Sequence, residues 1–331
     1  MIIAVDAAGG DYAPHEVVKG AIKAAQEFNV EIALVGSGEI LHVLAGKYLN
    51  KLPISFVEAS QVIGFEEHAI QAIQAKPDST IVVGINLLKQ GKADAFVSAG
   101  HSGAVFAAGM FILGKIEDIP RPAIGCFINL DPSKLAFLID AGANTECRPE
   151  HLVWFAHMGS LYLSQIYGIE SPRVGLLSNG AEDTKGNKLV VETHQLLKNT
   201  KLNFIGNIEG HDIMQGTAEV IVTDGFTGNI VLKTVEGIYD NWLSSMKEAN
   251  QRVAKAYRQS VKTLNRDTDI GSWTKKLDFR EYGGACLLGV NGNVIISHGR
   301  SQATAIKNAI GLAIRTTESS VPQKIKEEKN D

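Results

Sequence analysis

Met1-Ile2-Ile3-Ala4-Val5-Asp6 is an unbroken apolar run that ends in Ala7-Ala8-Gly9-Gly10-Asp11, and Pro14 follows where the first turn of a helix would start. A short apolar run without alternation reads as a strand buried on both faces, and a small-residue turn running into a helix reads as the first half of a βαβ unit. The design recurs along the chain. Residues 93–98 precede Ala99-Gly100-His101-Ser102-Gly103, residues 135–140 precede Ala141-Gly142-Ala143-Asn144, and residues 174–177 precede Ser178-Asn179-Gly180. Residues 203–206 lead into Asn207-Ile208-Glu209-Gly210, 219–223 into Asp224-Gly225-Phe226-Thr227-Gly228-Asn229, and 293–297 into His298-Gly299. Strand–helix alternation predicts a three-layer α/β/α fold around a mostly parallel sheet. Ligands in such sheets bind beyond the carboxyl ends of the strands, where these polar clusters stand.

Further strands are expected at 31–36 and 54–58, and helices at 38–49, at 68–91 with a break at Pro77, and at 302–315. Asn291-Gly292 predicts a hairpin turn. One catalytic domain over 1–320 is expected, with a charged tail at 321–331. Residues 235–280 stand apart, with nine bases against six acids and an apolar stripe of Val253, Tyr257, Val261 and Leu264. That segment reads equally as a helical excursion packed on the body or a second copy, and as a docking face for an acidic partner or anionic membrane.

Composition narrows the function. Of 331 residues, 45% are hydrophobic and 21% charged, as in an ordinary soluble globule. The net charge of −4 argues against nucleic acid as the main partner. Cys126, Cys147 and Cys286 form no CxxC pair, so a reduced compartment is expected and no metal site. No basic leader precedes the first strand, and no apolar run has transmembrane length. Neither a complete GxGxxG, nor a P-loop, nor a GxSxG elbow occurs, which removes support for dinucleotide binding and serine catalysis.

Anion chemistry is what remains. The 98–103 turn offers backbone amides with Ser98, Ser102 and His101 at a helix start. Lys185-Gly186-Asn187 sits between a strand and the helix expected at 189–198, where a lysine suits a phosphate. Asp224 to Asn229 puts a carboxylate and an amide at one strand end. Each also has a plain structural reading, as a helix cap, a solvated lysine and an Asx-turn.

These blocks together resemble the phosphate acyltransferase family of bacterial phospholipid synthesis (the PlsX type). The resemblance is carried by Asp6-Ala7-Ala8-Gly9-Gly10-Asp11-Tyr12-Ala13-Pro14, the 98–103 turn, Asp140-Ala141-Gly142-Ala143-Asn144, Pro149-Glu150-His151-Leu152 and Met158-Gly159-Ser160. It continues through 172–177, Lys185-Gly186-Asn187, 203–209, 224–237, Tyr282-Gly283-Gly284-Ala285 and His298-Gly299, in order and over nearly the whole chain. It implies conversion of acyl–acyl carrier protein and inorganic phosphate into acyl phosphate and free carrier protein, without metal or nucleotide cofactor. It implies a fold similar to isocitrate dehydrogenase and phosphotransacetylase. It also implies a homodimer in the cytoplasm that touches the membrane peripherally, near a glycerol-3-phosphate acyltransferase.

On this reading Lys185, Asn187 and the 100–103 loop hold phosphate, and Asn229 with amides near Gly228 binds the oxyanion. His101 or His298 handles protons, and Asp6, Asp11 and Asp224 orient these groups. Gly9, Gly10, Asp11, Ser98, Gly100, Ser102, Gly103, Asn144 and Asn207 complete the expected substrate site. Several loops depart from the family pattern: Ala8, Tyr12, Ala69, Gln74, His101, Ser102, Ser178, Asn179 and Arg300 replace its usual residues. Two other readings stay open, a phosphotransacetylase-like exchange with coenzyme A and an inactive member that binds carrier protein or membrane.

Overall fold

The computed structural model describes residues 1–128, 134–257 and 283–328. Its strands are β1 (Ile2–Asp6), β2 (Glu31–Gly36), β3 (Ile54–Glu58), β4 (Ala95–Ser98), β5 (Ala123–Phe127), β6 (Phe137–Ile139), β7 (Val174–Leu177), β8 (Phe204–Ile208), β9 (Val220–Val222), β10 (Ala285–Leu288) and β11 (Asn293–Ile296). The helices before the chain's midpoint are α1 (His15–Phe28), α2 (Gly38–Ala45), α3 (Ala69–Ala75), α4 (Thr80–Lys89), α5 (Ser102–Ala108) and α6 (Pro149–Tyr167). They are followed by α7 (Lys188–Leu197), α8 (Gly210–Gln215), α9 (Gly225–Tyr257), α10 (Ala303–Glu318) and α11 (Val321–Glu327).

All the strands join one sheet in the order β3-β2-β1-β4-β11-β10-β5-β6-β9-β7-β8. β3, β2, β1, β4 and β11 are parallel. The chain direction then reverses at β10, at β5 and at β6, and β9, β7 and β8 continue parallel to β6. The sheet is therefore two parallel halves of opposite sense, joined through antiparallel neighbours. This corrects the picture of one row of carboxyl ends. The ends of β1, β4 and β11 lie at one edge, and those of β6, β9, β7 and β8 at the other.

Alternation within each strand decides which face it feeds. Ile3 and Val5 of β1, with Phe137 and Ile139 of β6, belong to a core that runs beneath the sheet under α1, α2, α6, α7 and α10. Phe137 and Tyr162 stack there with ring centroids 4.7 Å apart. On the opposite face the core is split. One cluster packs α3, α4 and α5 over β1, β4 and β11, and another packs α8 and α9 over β5, β6 and β9. The gap between the two clusters is a cleft over the strands that reverse.

Local chemistry explains the boundaries. The apolar stripe Val17, Val18, Ala21, Ala24 and Ala25 buries one face of α1, and Asn29 ends the helix in the left-handed conformation. Gly20 lets α10 approach, since a Cβ there would stand 2.6 Å from Ile306 Cβ. Pro77 lies between α3 and α4, where the break was expected. Several elements escaped the pattern: β5, whose Ala-Ile-Gly-Cys-Phe is short and glycine-bearing, the helices α6 and α8, and the first turns of α9, which start ten residues before the expected excursion. The tail expected from 321 onward is corrected too, since Val321–Glu327 forms α11 and buries Val321 and Ile325 in the core beneath the sheet. Lys247, Arg252 and Lys255 of the basic segment fall within α9, and its residues from Arg258 to Arg280 lie outside the described residues.

Candidate active site

The cleft has a volume of about 440 Å³. Its floor is the apolar sheet surface of Ile124, Cys126, Ala285 and Ile296. One wall is the turn before α5, with Gly100 and Ser102, and the aromatic ring of Phe65. The other wall is one face of α9, where Asn229, Leu232, Lys233 and Glu236 line the space. The i, i+4, i+7 spacing of Asn229, Lys233 and Glu236 aims all three the same way. Asp11 and the Ser297-His298-Gly299 turn close one end, and Ala141 and Gly142 lie along the α9 side.

Two buried carboxylates fasten these loops. Asp6 accepts a 2.6 Å hydrogen bond from Ser98 Oγ, and Gly100 N donates to the same hydroxyl. Gly9 packs so closely on Asp6 and Gly100 that a side chain has no room. Gly10, at φ +108°, needs the freedom of glycine and lets Asp11 N reach Gly299 O at 2.8 Å. At the other strand ends, Asp140 accepts from the amides of Ile124, Gly142, Ala143 and Asn144 and from Asn144 Nδ2. Burial raises the pKa of both Asp6 and Asp140 against the pull of these donors. Asp224 caps α9, accepting from Thr227 N and Thr227 Oγ1. Gly228 packs directly on Asp140 O, so α9 is seated on the Asp140 loop.

Both histidines expected to move protons are held in one tautomer. His101 Nδ1 accepts from Ala104 N at 3.2 Å, so Nε2 carries the hydrogen and donates to Glu67 O at 3.0 Å. His101 is thus the cap of α5, and Phe65 stacks on its ring with centroids 6.4 Å apart. His298 Nδ1 accepts from Arg300 N at 3.0 Å, which turns Nε2–H toward Glu236 Oε2, 3.6 Å away. Lys233 Nζ meets the same Oε2 at 2.8 Å. Burial pushes the Glu236 carboxyl up, but His298 and the Lys233 ammonium outweigh it and hold the group below its ordinary range. The cleft thiol is no ready nucleophile, since burial pushes Cys126 up, and burial lifts Cys147 to about 12.

The structure gathers Asp11, Gly100, Ser102, Asn229 and His298 of the expected residues around one cleft. Gly9, Gly10, Ser98, Gly103, Asn144, Asp224 and Gly228 shape its loops without lining it. Lys185, Asn187 and Asn207 are not brought in. Lys185 and Asn187 follow β7 and Asn207 lies in β8, the outermost strands of their half, and β7 stands two strands, roughly 10 Å, beyond β6. Lys185 is exposed there, and Asn187 caps α7 through Val190 N. Asn207 is a strut between His194 Nδ1 and Glu182 O. Lys233, Glu236 and Phe65 went unnoticed. The first two sit in the very block 224–237 that carried the resemblance, and helical spacing from Asn229 was the signal that could have found them.

Helices on both faces of one mixed sheet give an α/β fold similar to that of the phosphotransacetylases. A phosphotransacetylase from Streptococcus pyogenes superposes with a TM-score of 0.59 over 98% of this chain and 94% of that one, at 19% identity. A branched-chain phosphotransacylase from Enterococcus faecalis gives 0.58 over 96% and 99%, at 13% identity. By sequence the chain belongs to the fatty acid synthesis protein family, whose model matches residues 1–324. It is 58% identical to a phosphate acyltransferase of Dehalococcoides mccartyi over 99% of this chain and 94% of that protein. It is 46% identical to one of Desulforamulus reducens over 98% and 96%.

Proposed function

We propose that this chain is a phosphate acyltransferase, taking an acyl group from acyl carrier protein to inorganic phosphate. The observation that carries the reading is the cleft, which sets an apolar floor against a wall of amides, hydroxyl and ammonium. A fatty acyl chain and an oxyanion fit side by side there. Phosphate is already a nucleophile, so the protein needs to supply position and charge. A phosphate oxygen bonds to the thioester carbon, the carbonyl electron pair moves onto oxygen, and its return breaks the C–S bond. The sulfur leaves as thiolate, which is stable enough near its ordinary pKa of ~8.5 to depart without a proton. Near-full-length identity to proteins named phosphate acyltransferase supports the reading.

Within it, the 100–103 turn and Asn229 contact phosphate and the oxyanion. Lys185 stays as an exposed cation for the anionic donor, outside the reacting centre. The working unit is a homodimer in the cytoplasm, and Lys247, Arg252 and Lys255 of α9 suit an acidic carrier protein or an anionic bilayer. Among the described residues no helix is long and apolar enough to cross a membrane. Acyl phosphate made there passes to a glycerol-3-phosphate acyltransferase. The fold likeness to phosphotransacetylases favours coenzyme A as the second donor to test. Phosphate-dependent thiol release should be fast with acyl–acyl carrier protein and slow with acyl-coenzyme A. The reverse order would replace the carrier protein in this reading.

A further inference from the structure

Three titratable groups meet at the α9 side of the cleft, and their contacts give them different tasks. His298 has both ring nitrogens engaged, one by Arg300 N and one facing Glu236. Glu236 is buried, at 6% exposure, and carries the negative charge between its two neighbours. Lys233 is the member that reaches out. Its side chain is 56% exposed and its ammonium rests on Glu236 at 2.8 Å. An ammonium has three donors, and this contact uses one of them.

We propose that Lys233 is the catalytic cation of the cleft and that Glu236 is its positioning residue, an inference that rests on the phosphate acyltransferase reading. Lys233 faces the approaching phosphate and then the oxygen that takes up the carbonyl electron pair. It forms no covalent bond and gives up no proton. Its four-carbon stem would otherwise spread the charge over many rotamers, and Glu236 restricts them to the one that points along the α9 wall. Glu236 lies deeper than Lys233, so the ion pair fixes the ammonium from behind. Asn229, one turn earlier on the same face, supplies a neutral donor beside it.

The test separates charge from position. Lys233→Ala should lower kcat/KM for phosphate about 10²- to 10³-fold, the usual cost of losing an oxyanion donor, and Lys233→Arg should regain part of it. Glu236→Gln keeps the side chain's shape but removes a negative charge beside an anion site. The KM for phosphate should therefore not rise, while kcat falls about 10²-fold because the ammonium loses its seat. Glu236→Asp keeps the charge with a shorter reach and should also lower kcat. The two losses should be non-additive in the double variant. Titration of the purified proteins with inorganic phosphate, followed by phosphorus NMR, gives a readout without turnover: Lys233→Ala binds more weakly, and Glu236→Gln does not. Unchanged kcat/KM in Lys233→Ala would remove it from catalysis. A raised KM with intact kcat in both Glu236 variants would make Glu236 a binding group. A wild type that makes no acyl phosphate would overturn the functional reading instead, and the phosphate titration would still decide whether Lys233 meets an anion.

Discussion

At the scale of single residues, hydrogen bonds decide what a side chain is able to do. His101 looked like a titrating phosphate ligand, because it stands at a helix start in a glycine turn. The structure gives its Nδ1 to Ala104 N and its Nε2–H to Glu67 O, so no ring nitrogen is left for phosphate. We predict that His101→Asn, which keeps a good cap, leaves the phosphate KM close to that of the wild type. A phosphate KM raised many-fold in His101→Asn would restore His101 as a phosphate ligand. Nitrogen-15 NMR should find the neutral imidazoles of both His101 and His298 as Nε2–H tautomers. An Nδ1–H signal from His298 would break the account of its turn. Lys185 makes a contrasting case. An exposed cation two strands from the cleft should, as Lys185→Ala, raise the KM for the acyl donor more than it lowers kcat. A loss confined to kcat would move it into the reacting centre. The local contacts, His101 with Ala104 N and His298 with Arg300 N, fit the plain cap and turn readings that the sequence allowed, but the partners of the opposite ring nitrogens, Glu67 O and Glu236, come from distant segments, and no local pattern encodes those.

At the scale of elements, most of the sheet was legible because apolar runs and small-residue turns follow simple rules. β7 fell on the expected 174–177, and Pro77 split α3 from α4 where proline must. What spacing could not show was the direction of each strand. Ala-Ile-Gly-Cys-Phe gave no signal for β5, and β5 and β10 are the strands whose reversal opens the cleft. The seating of α9 follows from Gly228, which leaves no space for a methyl group above Asp140 O. Gly228→Ala should cost about 1–3 kcal/mol by overpacking and also depress turnover, since Asn229, Lys233 and Glu236 shift with the helix. Normal stability in chemical denaturation would show that α9 is not seated this way. Further along, Arg173 clamps Glu219 and ties the starts of β7 and β9. Burial raises the Glu219 carboxyl, but Arg173 outweighs it and lowers the pKa. A lowered folded pKa adds stability above the unfolded value of ~4.3, and that stability is lost as pH falls through the folded pKa. Arg173→Ala should cost about 1 kcal/mol at pH 7, since the pair is partly exposed to solvent. The gap between variant and wild type should narrow steadily as pH falls below ~4.3. A gap that stays constant would mean the clamp acts through packing.

At the scale of the whole molecule, two parallel half-sheets of opposite sense leave their faces unfilled where they meet. The continuous core beneath the sheet holds the halves together, and the split core above it leaves room for substrate. Function follows from that division, because the floor of the gap is apolar and its walls carry the polar loops of both halves. The fold class and the family were readable from ordered blocks along the chain, while the grouping of those blocks into one cleft depended on strand order. The measurement that tests the central claim most directly is the product of the reaction with inorganic phosphate. The protein, incubated with acyl–acyl carrier protein and phosphate, is quenched with hydroxylamine to trap acyl phosphate as the hydroxamate, and free thiol is counted in parallel. The account predicts one acyl phosphate per thiol released, with both dependent on phosphate. Thiol release without acyl phosphate, or neither product from any acyl–acyl carrier protein, would contradict it.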